Sequence, residues 1–207
     1  MDFEKNKERF LKELEVVKRP GMDKLLEYIN KYDMFTAPSS TRYHLSVPGG
    51  LLQHSLNVLD ALRSILHDNG DGTYSYIIAG VEIAKVTEEN IVIMALLHDI
   101  CKTNFYKQTL KHRKNREGQW EDYYGYEIDD RIPYGHGEKS VLMIETYIRL
   151  EPVERYAIRW HMGFPEGNDK YTFGSAVEMY PIIWALHTAD MLAAHCMEGE
   201  EGNKQGF

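Results

Sequence analysis

The sequence predicts an all-α fold that carries one small β-hairpin. Apolar residues recur at the three- and four-residue spacing of amphipathic helices along most of the chain. That spacing breaks down between residues 105 and 130, where two runs with partial alternation flank a turn at 115–118. Helices bury their apolar stripes against one another. We therefore expect a helical bundle with a β-hairpin insertion around residues 105–130.

The composition is that of one folded domain. The chain has 207 residues, of which 43% are hydrophobic and 27% charged, as is usual for globular proteins. A chain of this length can bury one sizeable core. We expect a single domain over residues 1–207, with N-terminal helices at 1–40, a core at 41–197 and a flexible tail at 198–207.

Charge and hydropathy exclude several classes of partner. The net charge of -8 argues against binding of duplex nucleic acid, which calls for a basic surface. The charged N-terminus has no signal-peptide pattern, and no run approaches the roughly 18 apolar residues of a membrane span. Two isolated cysteines indicate reduced thiols. We expect a cytoplasmic protein without membrane or duplex partners, whereas a small phosphorylated substrate stays compatible because bound cations supply positive charge locally.

Breaks in the apolar pattern delimit the helices. Two helices precede residue 40, separated by Pro20-Gly21, and a long helix follows Pro48 and covers residues 51–66. Thr87 is a typical N-cap for a helix whose residues 91–97 are apolar on every side. Helical spacing returns at 141–148, after Pro152, and from about 180 to 197.

The expected hairpin has basic residues in its first half and acidic residues in its second. Opposite charges facing each other across the strands explain this pattern without any function. The alternative is a basic arm that recognises nucleotide phosphates and stacks bases on its aromatic side chains.

Four histidines, His54, His98, His136 and His161, occur at the ends or starts of separate predicted helices, where they can converge. Imidazole nitrogens and carboxylate oxygens suit Mn, Fe, Co, Ni or Zn better than Mg. A lone His-Asp pair is commonly structural, but burying one without partners costs several kcal/mol. The converging histidines, with Asp99 beside His98, are therefore candidates for binding a metal.

Five motifs follow one another along the chain: Gln-His54-Ser, Leu-Leu-His98-Asp99-Ile-Cys-Lys102, Gly-His136-Gly-Glu, Trp-His161-Met-Gly and Ala-Asp190-Met. Their order resembles the HD superfamily of metal-dependent phosphohydrolases. The resemblance spans about residues 40–195 and is strongest to the branch with extra histidines, which includes the HD domain of a bacterial 3′ to 5′ exoribonuclease.

The resemblance implies a metal centre with one or two ions. The first ion would be held by His54, His98, Asp99 and Asp190, and Asp99 would bridge to a second ion. His136 and His161 would hold that second ion. Where many relatives have two adjacent histidines, this chain has His161-Met162, so one ligand or substrate contact of those relatives is absent.

The implied reaction is cleavage of a phosphoester of a nucleotide or short oligonucleotide by metal-activated hydroxide, as a phosphomonoesterase or phosphodiesterase. Catalytic roles fall to Asp99 and to Lys102, which can offset phosphoryl charge; the alternative for Lys102 is a solvated surface position. Arg42, His44 and His187 are candidate substrate contacts. A loop hydrogen bond for His44 and a core position for His187 are their alternatives.

Two other functions fit the same ligands. Some relatives of this superfamily hold two irons in a comparable cluster and activate oxygen, so a di-iron oxygenase is one alternative. The other is a non-catalytic, ligand-binding regulatory HD domain, which is disfavoured because all six ligands are present.

Overall fold

The computed structural model describes residues 2–115, 117–165 and 169–198. Within these ranges no helix is long and apolar enough to cross a membrane. The helices are α1 (Phe3–Glu13), α2 (Met22–Lys31), α3 (Gly50–Ile65), α4 (Glu88–Leu97), α5 (His136–Glu145), α6 (Pro152–Trp160), α7 (Lys170–Met179) and α8 (Ile182–Leu192). The strands are β1 (His67–Asp68), β2 (Thr73–Ile78), β3 (Val81–Thr87), β4 (Tyr106–Lys114) and β5 (Trp120–Ile128).

The prediction of an all-α fold is wrong, because two antiparallel sheets account for 17% of the described residues, beside 53% in helices. The unexpected sheet has the order β1-β2-β3. Its strands β2 and β3 are joined at Ala79 and Gly80, whose φ angles are 50° and 79°. Two consecutive positive φ angles are those of the two-residue turn that best matches the twist of a hairpin. The fold is therefore mostly helical with two small sheets.

The predicted hairpin insertion is present as β4 and β5. Its register pairs Arg113 with Glu121 and His112 with Asp122. Arg113 Nε lies 2.6 Å from Glu121 Oε1, and His112 Nδ1 lies 2.6 Å from Asp122 Oδ1. Opposite charges thus face each other across the strands, which supports the structural explanation of the charge pattern.

Helix α4 lies at the centre of the core. All its side chains from Ile91 to Leu97 are buried, and the helix packs against α3 and α6. Thr87 caps its first turn by accepting a hydrogen bond from the backbone N–H of Asn90. Burial of each large aliphatic side chain contributes about 1.5–3 kcal/mol, so α4 is a rigid support for the residues that follow it.

A buried ion pair joins the N-terminal segment to α4 and α6. Arg19 donates to both oxygens of Glu154 at 2.6 Å, and Glu154 is fully buried. Asn90 of α4 and the backbone N–H of Glu151 also donate to Glu154. Each carboxylate oxygen of Glu154 thus accepts two hydrogen bonds, as a buried charge requires.

Five helices bring the candidate ligands together. His54 lies within α3, His136 begins α5 and Asp190 lies within α8, while His98 and His161 follow the last residues of α4 and α6. Helices α5 and α6 approach closely, since a Cβ on Gly137 would lie 2.0 Å from the carbonyl oxygen of Arg159.

The predicted flexible tail at 198–207 wrongly includes Glu198. After α8 a turn of π-helix covers Ala193–Met197, and the backbone N–H of Glu198 donates to Ala193 O at 3.1 Å. Glu198 is 3% exposed, so it belongs to the packed structure. The rest of the predicted tail, residues 199–207, lies outside the described residues.

Candidate metal centre

The two carboxylate oxygens of Asp99 face different pairs of histidines. Oδ2 lies 3.5 Å from His98 Nε2 and 3.7 Å from His54 Nε2. Oδ1 lies 2.6 Å from His136 Nε2 and 3.5 Å from His161 Nε2. Asp99 therefore stands between two groups of imidazoles, with one oxygen turned to each.

Asp190 completes the group on the Oδ2 side. Its Oδ1 lies 3.1 Å from His54 Nε2, and a metal ion could be held by His54, His98 and Asp190 together. A second possible set, His98, Asp99 and His161, joins the two groups. The structure thus brings all six predicted ligands into one cluster, in which His136 is partly exposed and the other five are buried.

Hydrogen bonds set the orientation of the two imidazoles that follow helix ends. His98 Nδ1 lies 2.9 Å from Ala95 O, and His161 Nδ1 lies 2.6 Å from Ile158 O. A carbonyl oxygen only accepts, so Nδ1 must donate the proton in each ring. The lone pair of a neutral ring then lies on Nε2, the nitrogen that faces the cluster.

His98 Nε2 and His161 Nε2 are buried and have no hydrogen-bond partner. A buried polar atom without a partner costs about 1–3 kcal/mol, and native proteins seldom leave one unexplained. Each lone pair is directed at the carboxylate of Asp99, which has no proton to donate when ionised. A divalent cation satisfies both nitrogens and the carboxylate, so the residues present fit a metal ion.

Charge interactions within the cluster are strong. Burial raises the pKa of Asp99, but Lys102 and the histidines outweigh it and hold the pKa well below the usual range. Burial likewise opposes protonation of His54 and His136. Asp190 and Glu198 nevertheless raise the pKa of His54 to about 10, and Asp99 raises that of His136 to about 9.

Lys102 contacts Asp99 directly. Helix α4 ends at Leu97, and a short 3-10 turn over Ile100–Lys102 returns the lysine to the cluster, where its Nζ lies 2.6 Å from Asp99 Oδ2. Its side chain is only 12% exposed. The interpretation as a solvated surface lysine is therefore wrong.

The three predicted substrate contacts differ in position. His44 lies beside the centre, with its ring centroid 5.0 Å from that of His54. His187 Nδ1 lies 2.8 Å from the carbonyl oxygen of His161, so it supports the backbone of a candidate ligand. In the described part of the chain Arg42 is exposed and donates to Tyr43 Oη, and the structure does not bring it to the cluster.

Two residues near the centre were not selected from the sequence. Cys101 Sγ lies 3.3 Å from His136 Nδ1, whereas the sequence indicates only a reduced thiol. Glu198 Oε1 lies 3.0 Å from His54 Nδ1, although it was assigned to the tail. The motif Asp99-Ile-Cys101 could have drawn attention to the cysteine, whereas no local pattern marks Glu198.

The comparisons with known proteins bear on this cluster. The family model of the HD domain matches residues 51–196, which is more than half of the chain. Neither the curated proteins nor the solved structures gave a match. HD domains are mostly metal-dependent hydrolases of the phosphohydrolase superfamily and bind divalent metals. On the strength of this match and of the buried His/Asp cluster, the chain belongs to the HD-domain family.

Proposed function

We propose that this protein is a metal-dependent phosphohydrolase that cleaves a phosphoester of a nucleotide or short oligonucleotide. The observation that carries the proposal is the pair of buried, partnerless nitrogens, His98 Nε2 and His161 Nε2, directed at Asp99. Nitrogens in this state are ready to bind a cation without first losing a hydrogen bond.

The division of the histidines by Asp99 supports two metal positions. On the Oδ2 side the ligands of the first ion would be His54, His98, Asp99 and Asp190. On the Oδ1 side Asp99, His136 and His161 would hold the second ion. The mixed nitrogen and oxygen set favours Mn, Fe, Co, Ni or Zn over Mg.

Bound ions of this kind lower the pKa of water towards neutrality and neutralise charge on a phosphoryl group. The chain contributes the arrangement around them. Asp99 is held ionised by Lys102 and the histidines, so it is available as a ligand at neutral pH. Backbone carbonyls fix the rings of His98 and His161, which keeps both Nε2 atoms directed at the cluster.

Among the described lysines, Lys102 is the one whose ammonium group lies inside the cluster, where it can act on the substrate. Its ammonium group lies beside Asp99 Oδ2 and retains some exposure. Burial opposes its charge, but Asp99 outweighs burial and raises its pKa. A fixed positive charge at this place offsets the negative charge that develops on phosphoryl oxygens during cleavage.

The distribution of charge supports a small substrate. Two basic residues of β4 face acidic residues across the hairpin, with Lys107 opposite Glu127 and Arg113 opposite Glu121, whereas Lys111 and Lys114 face Tyr123 and Trp120. With the net charge of -8, this pairing leaves little basic surface for a long nucleic acid. The resemblance to the exoribonuclease branch supports a nucleotide or short oligonucleotide, with His44 as a contact beside the metals.

Metal content and hydrolysis should be measured together on protein purified without chelator. We expect about two metals per chain in the wild type and hydrolysis of bis-p-nitrophenyl phosphate with added Mn. The variant Asp99→Ala should lose both, whereas Asp122→Ala on the exposed hairpin should keep both, because it leaves the cluster intact.

Other outcomes identify the alternatives. One metal per chain would restrict the proposal to the first group of ligands. Bound iron with oxygen consumption and no hydrolysis would favour the oxygenase, and bound metal without either reaction would favour a regulatory domain. A wild type that binds no added divalent metal would overturn the proposal.

A further inference from the structure

Glu198 is held at the centre by the turn that follows α8. The turn of π-helix over Ala193–Met197 ends with the backbone N–H of Glu198 donating to Ala193 O. This geometry turns the side chain inward, where it is 3% exposed, while His195 on the same turn is exposed. Glu198 lies outside residues 51–196 that match the family.

The carboxylate of Glu198 holds His54 and is held in turn by Asn57. Its Oε1 lies 3.0 Å from His54 Nδ1 and accepts a hydrogen bond from Asn57 Nδ2 at 2.9 Å. Asn57 is fixed because its Oδ1 accepts from Gln53 Nε2 at 2.8 Å. A chain of hydrogen bonds therefore determines where Oε1 lies and how the imidazole of His54 is turned.

This partner differs from those of the other candidate ligands. His98 and His161 donate from Nδ1 to backbone carbonyls, which are neutral. His54 donates to a carboxylate, which is charged and makes the opposite ring nitrogen a stronger base. That opposite nitrogen, Nε2, is the atom that lies 3.1 Å from Asp190 Oδ1.

The second oxygen of Glu198 faces His44. Glu198 Oε2 and His44 Nε2 lie 4.0 Å apart, and both atoms are buried without a hydrogen-bond partner. The same carboxylate thus stands between a candidate metal ligand and a candidate substrate contact. A purely structural anchor for the end of the chain does not require a buried acid between two histidines, since burying an ionised carboxylate is costly.

We propose that Glu198 is a positioning residue of the metal centre, which orients His54 and strengthens it as a ligand of the first ion. The proposal rests on the proposed function only in taking His54 as a metal ligand. Removal of such an outer partner typically weakens metal binding 10–100-fold.

The test is a competition titration of chelator-treated full-length protein with Zn, using a metal indicator of known affinity. We expect Glu198→Gln to weaken binding of the tightest ion about tenfold and Glu198→Ala up to about 100-fold. The variant His195→Ala, on the same turn but exposed, should bind Zn as the wild type does. Melting of the metal-free proteins is measured in parallel.

The glutamine variant separates positioning from folding, because it keeps the size and an acceptor oxygen of the side chain. Weaker Zn binding with an unchanged melting temperature of the metal-free protein would support the inference. Zn binding equal to that of the wild type would overturn the inference. So would Zn binding that is weakened no more than the lower stability of the metal-free variant explains. In the Zn-loaded wild type, long-range nitrogen–proton NMR should also show the proton of His54 on Nδ1, and a proton on Nε2 instead would overturn the assignment.

These outcomes are distinguishable from those of the proposed function. If the wild type binds Zn and Glu198→Gln weakens that binding while no phosphoester is cleaved, the positioning role stands and the phosphohydrolase proposal fails. If hydrolysis is found and the glutamine variant binds Zn normally, only the positioning role fails.

Discussion

Lys102 Nζ lies 2.6 Å from Asp99 Oδ2, the oxygen that also faces His54 and His98. The ammonium group and a metal ion of the first group would therefore share one carboxylate oxygen. This arrangement keeps Asp99 ionised without a metal, and it places a positive charge beside the first metal position.

Replacement of Lys102 should affect turnover more than metal loading. In Lys102→Met the positive charge is lost, and we expect kcat to fall by about 100-fold or more, the usual effect of removing one charge-stabilising donor. Zn affinity should be retained or increased, since the ammonium group no longer competes for Asp99 Oδ2. Lys107→Met on the exposed hairpin is the control. Loss of metal with no separate effect on kcat would contradict a catalytic role.

Removal of His136 should leave the first group of ligands complete. Because His136 contacts Asp99 Oδ1 and the first group lies at Oδ2, we expect His136→Ala to bind one metal per chain. In contrast, His54→Ala should weaken the tightest ion. Elemental analysis after equilibration with excess Mn checks this difference. Two retained ions in His136→Ala would show that the second position does not need this histidine.

Metal binding should release protons at neutral pH. The pKa values of about 10 for His54 and about 9 for His136 mean that both rings carry an extra proton in the metal-free protein at pH 7. Each Nε2 must lose that proton to bind a cation. Affinity should therefore rise with pH from 7 towards 9, and calorimetry in buffers of different ionisation enthalpy should detect the released protons. A pH-independent affinity in this range would contradict the assignment.

The imidazoles of His54 and His136 should have the opposite effect on the stability of the metal-free protein, which should fall as the pH rises. A pKa raised above the unfolded value of about 6.5 stabilises the folded state most below that pH, and the contribution is lost as the pH rises through the folded pKa. The urea midpoint of chelator-treated protein should thus fall between pH 7 and 10, while metal affinity rises.

Breaking the pair of Arg19 and Glu154 should destabilise the protein without changing its chemistry. Glu154→Ala leaves the guanidinium of Arg19 without its main partner, and loss of one member of a buried pair costs about 3–5 kcal/mol. Urea denaturation measures the change. Glu145→Ala removes a half-exposed partner of Arg155 and should cost at most about 1 kcal/mol. Equal effects of the two variants would contradict the importance of burial.

Gly137 permits the close approach of α5 and α6. In Gly137→Ala the new Cβ would lie 2.0 Å from the carbonyl oxygen of Arg159, so the helices must separate. We expect weaker binding of the second ion and lower stability, because His136 precedes this position and His161 follows α6. Gly174→Ala is the matched control. No atom lies within 4 Å of a Cβ there, and alanine should stabilise α7 by about 0.5–1 kcal/mol.

The convergence of His98 and His161 could be predicted from the sequence because both follow helices that apolar spacing locates, α4 and α6. Asp190 lies within α8, and the resemblance to the HD superfamily was needed to select it. The hairpin of β4 and β5 was also predictable from its alternation and turn. Helical spacing alone predicts no element over residues 73–86, so the sheet of β2 and β3 was not predicted, although β-branched and aromatic residues alternate there beside Ala79-Gly80.

Other features could not be predicted, since they depend on contacts between distant segments. Glu198 reaches His54 from 144 residues away, and only the π-helical turn after α8 directs it inward. Likewise, Lys102 lies beside Asp99 because a 3-10 turn over Ile100–Lys102 follows the end of α4. Apolar periodicity predicts which face of a helix is buried, but it does not predict the conformation of the turn that follows the helix.

The positions of His98 and His161 have an electrostatic consequence. Each ring caps the C-terminus of its helix by donating a hydrogen bond to the carbonyl oxygen three residues earlier. The centroids of the two rings lie 4.9 Å apart. A helix C-terminus carries about half a negative charge. Two such ends meet at the cluster, so backbone carbonyls add negative potential beside the carboxylates of Asp99 and Asp190 and favour a cation there.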